Sequence, residues 1–250
     1  MTLPLEGKNA LVTGGTRGIG RAAVLHLARA GADVGFTYLH SADQACHLRG
    51  EVEELGRRVW AVRADSGDPD ALRSAVTGTA DTLRGLDILV NNAGLAIVNP
   101  IEAMTLEDID RLIAVNFRGP YLAIQAAVPH LRDGGRIITI GSILAERAYP
   151  PPYAAVSLYS ATKAGLTGMT RALARELAPA NITINLLTVG HIDTDLNPAA
   201  AEHSDFMRSH IALGRYGDPS DIAQTIVHLA SSAGSYITGA CLAIDGGLTA

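Results

Sequence analysis

A tyrosine and a lysine four positions apart, Tyr159 and Lys163, are the residues of this sequence whose types and spacing could move a proton. The segment around them has a helical pattern, so the two side chains are expected on one helix face, a single turn apart. A free phenol has a pKa of about 10 and exchanges protons poorly near neutral pH. A neighbouring cation favours the phenolate and lowers that pKa, which makes the phenol a usable acid and base. Such pairs also occur on solvated helix edges, so the rest of the chain must decide between the two interpretations.

A glycine-rich stretch near the N-terminus, residues 14–20, also has a chemical use, and we call it the glycine loop. It follows a short apolar run typical of a buried strand and precedes an Ala- and Leu-rich helical pattern that ends at Gly31. Gly14, Gly18 and Gly20 would let the backbone approach a pyrophosphate, which a helix N-terminus faces with free N–H groups. The order of strand, loop and helix favours a dinucleotide site over a merely flexible turn.

The end of the second predicted strand indicates which dinucleotide is bound. Folds that prefer NAD place an Asp or Glu there to bind the ribose 2′-hydroxyl, whereas this chain has Tyr38, Leu39, His40 and Ser41. Arg17 lies in the glycine loop and could reach a 2′-phosphate, although an exposed loop cation is the alternative interpretation. The sequence therefore predicts NADP(H) in preference to NAD(H).

The elements that must position these residues alternate between strand and helix along the whole chain. Strands are predicted over residues 8–13, 33–38, 57–63, 86–90, 136–141, 181–189 and 239–245, and one long helix over 105–131, with Pro120 bending it. The alternation predicts an α/β fold: a single Rossmann-type domain, residues 1–250, whose doubly wound, mostly parallel sheet of about seven strands has helices on both faces. Polar residues that follow the strands are expected at the carboxyl edge of the sheet, where such folds bind ligands.

Composition excludes several other classes of protein. The formal charge of −5 without a basic cluster argues against nucleic acid or an anionic membrane as partner. No apolar run approaches the ~18 residues that span a bilayer, and the N-terminus does not resemble a secretory signal. The two cysteines and eight scattered histidines show no metal-ligand spacing, so no metal site is predicted. We expect a cytoplasmic protein with a small-molecule substrate.

Five motifs in order resemble those of the classical short-chain dehydrogenase/reductase family: Thr13-Gly14-x-x-x-Gly18-x-Gly20, Asn91-Asn92-Ala93-Gly94, Asn116, Ser142 and Tyr159-x-x-x-Lys163. Within the family the chain is most similar to the bacterial β-ketoacyl-carrier-protein reductase-like group. The resemblance implies an oxidoreductase that interconverts a ketone or aldehyde and an alcohol by hydride transfer. It also implies a homo-oligomer, a tetramer or a dimer.

The resemblance further implies a role for each catalytic residue. Tyr159 would be the general acid/base, and Ser142 would hydrogen-bond the substrate carbonyl oxygen. Lys163 would lower the pKa of Tyr159 and hold the nicotinamide ribose, and Asn116 would position a water that links Lys163 to solvent. Ser157 is interpreted as a helix N-cap.

Further residues are implied to bind the cofactor or the substrate. Those implied to contact the cofactor are Gly14, Thr16, Arg17, Gly18, Ile19, Gly20, Tyr38, His40, Ser41, Asp65, Ser66, Asn92, Ala93, Gly94, Tyr159, Lys163, Gly190, Ile192 and Thr194. Those implied to contact the substrate are Ser142, Leu144, Tyr153, Tyr159 and His191. Ile143, Tyr149 and the 195–213 stretch would line the same pocket.

At two places the sequence departs from the family pattern, so the resemblance does not define the site there. Val189 stands where the family has a proline, so the turn before Gly190 loses a fixed φ. Ser142 and Tyr159 are 17 positions apart, a few more than is usual, and the extra residues appear as a proline-rich loop, 149–153. The run 190–198 is also similar to a subgroup that includes a cyclic-di-GMP-binding regulator, so a nucleotide-binding sensor with little turnover is the competing hypothesis.

Overall fold

The computed structural model of the protein describes residues 3–151, 153–201 and 204–250. Its strands are β1 (Asn9–Val12), β2 (Asp33–Tyr38), β3 (Val59–Arg63), β4 (Leu86–Asn91), β5 (Leu131–Ile140), β6 (Thr183–Val189) and β7 (Cys241–Ile244). Its α-helices are α1 (Gly18–Arg29), α2 (Ala42–Glu54), α3 (Pro69–Leu83), α4 (Leu106–Ile113), α5 (Gly119–Ala127), α6 (Ser157–Leu177), α7 (Ser204–Ser209) and α8 (Pro219–Ala230).

The seven strands form one sheet in the order β3-β2-β1-β4-β5-β6-β7, and every neighbouring pair is parallel. The predicted α/β fold class is thus confirmed, with an all-parallel rather than a mostly parallel sheet. The strand order reverses between β1 and β4, and the crevice outside the carboxyl ends at such a switch point is where these folds bind ligands. That the chain is a single domain stays a prediction.

Successive residues of each central strand pack on opposite faces of the sheet, as the two-residue period of a strand requires. Val12 and Ile88 join the core that contains residues of α1, α2 and α8, whereas Leu11 and Leu89 join the core that contains residues of α3, α5 and α6. Because both faces are buried, the central strands are continuous apolar runs. Two apolar layers therefore hold the carboxyl edge in place.

The predicted long helix over residues 105–131 is confirmed in its extent, but its interior is not a regular α-helix. Thr105 does begin a helix, through a reciprocal capping box with Asp108. The helix then loosens into a π-helical turn, Ala114–Arg118, and β5 begins at Leu131 rather than at Arg136. Pro120 has no N–H to donate to the carbonyl of Asn116 four positions earlier, so the regular ladder is interrupted at this point.

The N-cap interpretation of Ser157 is also wrong. Helix α6 begins at Ser157 itself, and its N-cap residue is Val156, which has no capping side chain. Helix α3, by contrast, has a side-chain cap, because the Asp68 carboxylate accepts bonds from the backbone N–H groups of Asp70 and Ala71.

None of the described helices combines the length and the apolar character needed to cross a bilayer. The described residues also contain no group of three or more His, Cys, Asp or Glu side chains arranged to hold a metal ion.

Candidate active site

The structure brings Ser142, Tyr159 and Lys163 together at the carboxyl end of β5. Ser142 lies two residues after the end of the strand, is 8% exposed, and its hydroxyl accepts a bond from the backbone N–H of Leu144 at 3.2 Å. Helix α6 passes this point and presents Tyr159 and Lys163 one turn apart. The Ser142 hydroxyl lies close enough to the Tyr159 phenol to act on its pKa, in the direction that lowers it. The helix-edge interpretation of the pair is therefore excluded, because Lys163 is buried and the Tyr159 phenol is desolvated beside Ser142.

The ammonium group of Lys163 is held away from bulk water. Its Nζ donates to the carbonyl oxygen of Ile140 at 2.9 Å and lies 5.8 Å from the centroid of the Tyr159 ring. Burial lowers the pKa of Lys163 to about 8. The lysine is thus still protonated at neutral pH, but it lies close to the range in which it releases its proton.

The expected lowering of the Tyr159 pKa by Lys163 is not seen in this structure. Burial raises the pKa of Tyr159, and the hydrogen bond from Ser142 acts in the opposite direction without overcoming it. The physical reason is that desolvation of the phenolate outweighs the single bond that favours it. The phenol is therefore protonated at neutral pH, which is the form that a proton donor needs.

Asn116 lies in the π-helical turn and is fully buried. Its Oδ1 accepts from the backbone N–H of Leu95 at 2.9 Å, and its Nδ2 donates to the Leu95 carbonyl at 2.8 Å. A methyl group built on Gly94 would lie 3.7 Å from both Asn116 Oδ1 and Lys163 Nζ. The interrupted helix therefore turns Asn116 toward the loop beside Lys163. π-Bulges are frequent at functional sites, and this one carries a predicted catalytic residue.

The glycine loop leaves the N-terminus of α1 open for an anion. Arg17 occupies the N-cap position in extended conformation, no described side chain caps the helix, and its first turn contains no acid. Gly14 and Gly18 have φ values of +66° and +51°, which non-glycine residues rarely adopt. A Cβ on Gly20 would lie 2.1 Å from the carbonyl oxygen of Gly14. These features fit a dinucleotide pyrophosphate, because a close backbone and unsatisfied N–H groups face the same space.

Threonines that the sequence interpretation did not assign to the site hold this loop. The hydroxyl of Thr13 accepts from the backbone N–H groups of Asn92 and Ala93, both at 3.0 Å. Asn92 Nδ2 donates back to the carbonyls of Thr13 and Gly14 at 3.0 and 2.9 Å, and the Thr37 hydroxyl accepts from the Gly14 N–H at 2.9 Å. Asn92 and Ala93, both predicted to contact the cofactor, thus join with Thr13 in supporting the glycine loop. The adjacency of β1 and β4 is the signal that could have revealed Thr13.

The carboxyl ends of β2 and β3 form the predicted 2′-phosphate region. Arg17 is exposed, and Tyr38, His40 and Ser41 follow one another at the end of β2. Arg63, which the sequence interpretation missed, pairs with Tyr38 in the sheet, and its Nε donates to the carbonyl of Leu39 at 3.0 Å. The signal that could have revealed Arg63 is the parallel pairing of β2 with β3, because it places a second cation at this edge.

Asp65 is already engaged in the structure. Burial alone would raise its pKa, but hydrogen bonds from Arg111 and from the Gly67 N–H hold the pKa below its ordinary value. Arg111 reaches both carboxylate oxygens, at 3.0 and 2.9 Å. The carbonyl of the neighbouring Ser66 packs against Gly119, where a Cβ would lie 2.6 Å from it. Contact of either residue with the cofactor stays a prediction.

The turn after β6, which carries three predicted cofactor contacts, is restrained by the sheet despite the missing proline. Val189 is the last residue of β6, is 6% exposed and pairs with Ile244, so the sheet restrains its backbone. Gly190 donates to the carbonyl of Ile244 at 3.0 Å, and a Cβ on it would lie 2.6 Å from the Cα of Asp245. Ile192 is buried, and the methyl of Thr194 lies 3.1 Å from a Cβ built on Gly18. Thr194 therefore approaches the start of α1, whereas Ile192 belongs to the core.

Six ring-bearing side chains gather above the ends of β5 and β6, and we call them the aromatic cluster: Tyr149, Tyr153, His191, Phe206, His210 and Tyr216. Tyr153 stacks on Phe206 with centroids 4.8 Å apart, and His191 stacks on Tyr216 at 5.3 Å. Leu144 packs against the same group of apolar residues. Pro152 of the proline-rich loop lies outside the described residues, as do residues 202 and 203 of the 195–213 stretch. Tyr216 was not anticipated from the sequence.

The comparisons with known proteins agree with this geometry. A family model described as enoyl-(acyl carrier protein) reductase matches residues 14–249. A short-chain dehydrogenase from Burkholderia cenocepacia, solved in complex with NADP, superposes with a TM-score of 0.96 at 48% identity, over 99% of this chain and all of that one. The chain belongs to the short-chain dehydrogenase/reductase family.

Two curated relatives show how this family member relates to different functions. The 3-oxoacyl-(acyl-carrier-protein) reductase of Staphylococcus aureus is 35% identical over 96% of this chain and 98% of its own length. The cyclic-di-GMP-binding biofilm dispersal mediator protein of Escherichia coli is 41% identical over 96% of both chains. The predicted family and its oxidoreductase class are thereby confirmed, and the NADP complex agrees with the predicted cofactor.

Proposed function

We propose that this short-chain dehydrogenase/reductase is an NADP(H)-dependent carbonyl reductase or alcohol dehydrogenase with Tyr159 as its general acid/base. The observation that carries the proposal is the meeting of Ser142, Tyr159 and Lys163 at one strand end, beside an uncapped helix N-terminus. Carbonyl reduction requires three groups from the protein: a hydrogen-bonding serine, a protonated phenol and a buried ammonium.

Each residue of the site has a separate task. When bound, NADPH supplies the hydride. Ser142 donates a hydrogen bond to the carbonyl oxygen and stabilises its developing negative charge. Tyr159 delivers its proton to that oxygen, and Lys163, protonated and close to the ring, stabilises the phenolate left behind. Asn116, beside Lys163, places the water through which the proton is replaced.

The cofactor is proposed from the fit of the residues that would hold it. The glycine loop and the start of α1 would bind the pyrophosphate, and Arg17 and Arg63 would neutralise the 2′-phosphate. With no acid at the end of β2, the ribose 2′-hydroxyl of NAD has no carboxylate partner. Kinetics with both cofactors test this choice, and a clear preference for NADH would contradict it.

The function is tested by following NADPH consumption with a panel of ketones and aldehydes. Replacing the general acid, Tyr159→Phe, should lower kcat by at least about 100-fold, since a positioned acid contributes about 10²- to 10⁴-fold. The matched control is Tyr236→Phe, because Tyr236 is fully exposed and far from Tyr159 in the sequence. Equal turnover by wild type and Tyr159→Phe would refute the assignment.

A nucleotide-binding regulator is the second candidate, favoured by the similarity to the cyclic-di-GMP-binding mediator over 96% of the chain. In this alternative the fold would signal by binding, with little turnover. Calorimetric titration with cyclic-di-GMP, beside the ketone panel, separates the two candidates. Tight dinucleotide binding without reduction of any carbonyl compound would favour the regulator, whereas turnover that depends on Tyr159 would favour the enzyme.

A homo-oligomer, a tetramer or a dimer, is part of the proposal. Large apolar side chains are exposed along α4 and the turn that follows it: Leu106 is 72% exposed, Ile113 40% and Phe117 37%. Phe117 also lies against Gly165 of α6, so the surface is continuous across the two helices. Light scattering of the purified protein measures the assembly, and a monomer would contradict it. The cytoplasmic location stays a prediction from the sequence.

A further inference from the structure

A hydrogen-bonded chain of three side chains connects the loop after β5 to the loop after β6. The hydroxyl of Tyr149 lies 2.9 Å from His191 Nε2, and Asn197 Nδ2 lies 3.2 Å from His191 Nδ1. Tyr149 is only 5% exposed, and its ring lies 5.8 Å from the His191 ring. The mechanism proposed above uses none of the three.

The direction of this chain follows from its terminal donor. An amide NH₂ can only donate, so His191 Nδ1 accepts from Asn197, and the neutral imidazole carries its proton on Nε2. Nε2 therefore donates to the oxygen of Tyr149. Burial raises the pKa of Tyr149, so its hydroxyl keeps its own hydrogen. Among the described residues that hydrogen has no acceptor, which leaves a buried donor ready for a ligand atom.

Tyr149 and His191 lie at the same edge of the sheet as the reacting groups. Ser142 follows β5 and His191 comes two residues after the end of β6, and these strands are neighbours, with Ile140 paired to Leu187. Tyr149 shares its apolar cluster with Ile143, the residue after Ser142. Tyr149 thus packs beside the strand end that carries Ser142, and the stack of His191 on Tyr216 fixes the imidazole that orients its hydroxyl.

We propose that Tyr149 determines substrate specificity by donating a hydrogen bond to a second oxygen atom of the substrate, with His191 as the positioning residue. The pocket would then select carbonyl compounds that carry another acceptor oxygen over simple ketones. A site built to bond an oxygen discriminates against an analogue that lacks it, because the buried donor is then left unpaired. This inference rests on the proposed function, since it takes the reacting carbonyl to lie at Ser142.

The test compares 2-hexanone with its diketone relatives, 2,3-, 2,4- and 2,5-hexanedione, in NADPH-dependent reduction. Tyr149→Phe keeps the ring and removes only the hydroxyl. We expect kcat/KM for the best diketone to fall about tenfold, mainly through KM, while kcat/KM for 2-hexanone changes less than about twofold. Tyr216→Phe is the matched control, since it lies in the aromatic cluster against the same imidazole, and it should leave the diketone preference unchanged.

Equal losses on the diketone and the monoketone, or equal effects of the two tyrosine variants, would show a packing role and overturn the inference. Calorimetric binding of the same diketone in the presence of NADP⁺ gives a readout independent of turnover. Wild type that reduces no ketone, yet binds the diketone about tenfold more tightly than Tyr149→Phe does, would refute the proposed function and support the role of Tyr149. Absence of that difference in binding would refute the role itself.

Discussion

The two ends of the candidate site consist of different kinds of chemical group. The dinucleotide end consists of backbone groups and small side chains, such as Thr13 and Asn92, joined by hydrogen bonds of about 3 Å. The substrate end consists of the large rings of the aromatic cluster, which come from the proline-rich loop, the loop after β6 and the segment around α7. The dinucleotide end tolerates almost no change in backbone shape, whereas the substrate end can exchange side chains without a change in its backbone. Cofactor binding is therefore tied to the fold, and specificity is left to the loops.

The largest effect should come from a methyl group at the dinucleotide end. In Gly20→Ala the new Cβ would meet the Gly14 carbonyl at 2.1 Å and Asn92 Nδ2 at 2.5 Å. Since neither atom can withdraw without breaking the loop, we expect a loss of about 3 kcal/mol in the free energy of unfolding. NADPH affinity, measured by fluorescence titration, should fall by more than about 100-fold, which corresponds to a similar free energy.

The matched control for that variant is Gly78→Ala in α3, where no described atom lies within 4 Å of the new Cβ. It should stabilise the protein by up to about 1 kcal/mol, because alanine favours a helix interior over glycine. Near-wild-type NADPH binding by Gly20→Ala would show that the dinucleotide end is more plastic than its close backbone contacts indicate.

Between the two ends, the buried charge of Lys163 should make stability depend on pH. Its pKa is about 8 in the folded protein and 10.5 for a fully solvated lysine, so between these values the unfolded chain binds more protons. Stability of wild type relative to Lys163→Met should therefore rise with pH from 8 to 10.5, by about 3 kcal/mol in all. Below pH 8 the difference should stay constant.

Urea unfolding of both proteins at a series of pH values measures this difference. Tyr159 titrates in both proteins, so its contribution cancels to first order. A difference that does not change with pH would show that Lys163 is solvated in the folded protein.

A smaller effect is expected from the support behind the glycine loop. Thr13→Val removes the acceptor for the N–H groups of Asn92 and Ala93 while keeping the side-chain shape. Leaving these donors without a partner should cost about 2 kcal/mol in the free energy of unfolding, measured by urea denaturation. Thr13→Ser, which keeps the hydroxyl, should restore most of that loss. Equal loss in both variants would assign the effect to the methyl group instead.

The same contrast explains what the sequence could predict. The glycine loop, Ser142 and the pair Tyr159 and Lys163 are short motifs on regular elements, so their spacing predicted the fold and brought these residues to one edge. The supporting role of Thr13, and Arg63 altogether, were missed because they depend on which strands are neighbours in the sheet. The interruption at Asn116 arises from Pro120 and was predicted only as a bend.

The substrate end could not be predicted in the same way. The aromatic cluster joins Tyr149 to Tyr216 across two loops without periodic pattern, and tertiary packing and hydrogen bonds to His191 bring them together. The predicted direction of the Tyr159 pKa shift was wrong for a related reason. Burial, which sequence spacing does not reveal, raises this pKa and outweighs the opposing effect of Ser142.

The smallest expected effect comes from the substrate end. The hydroxyl oxygen of Tyr216 is buried and has no hydrogen-bond partner among the described residues, while its ring stacks on His191. Tyr216→Phe removes a polar group that was desolvated without compensation and keeps the stack, so stability should be unchanged or rise by less than about 1 kcal/mol. Thermal unfolding should show a Tm equal to or slightly above that of wild type. A loss of more than about 1 kcal/mol would mean that the oxygen has a partner in solution, and that the substrate end depends on hydrogen bonds as closely as the dinucleotide end does.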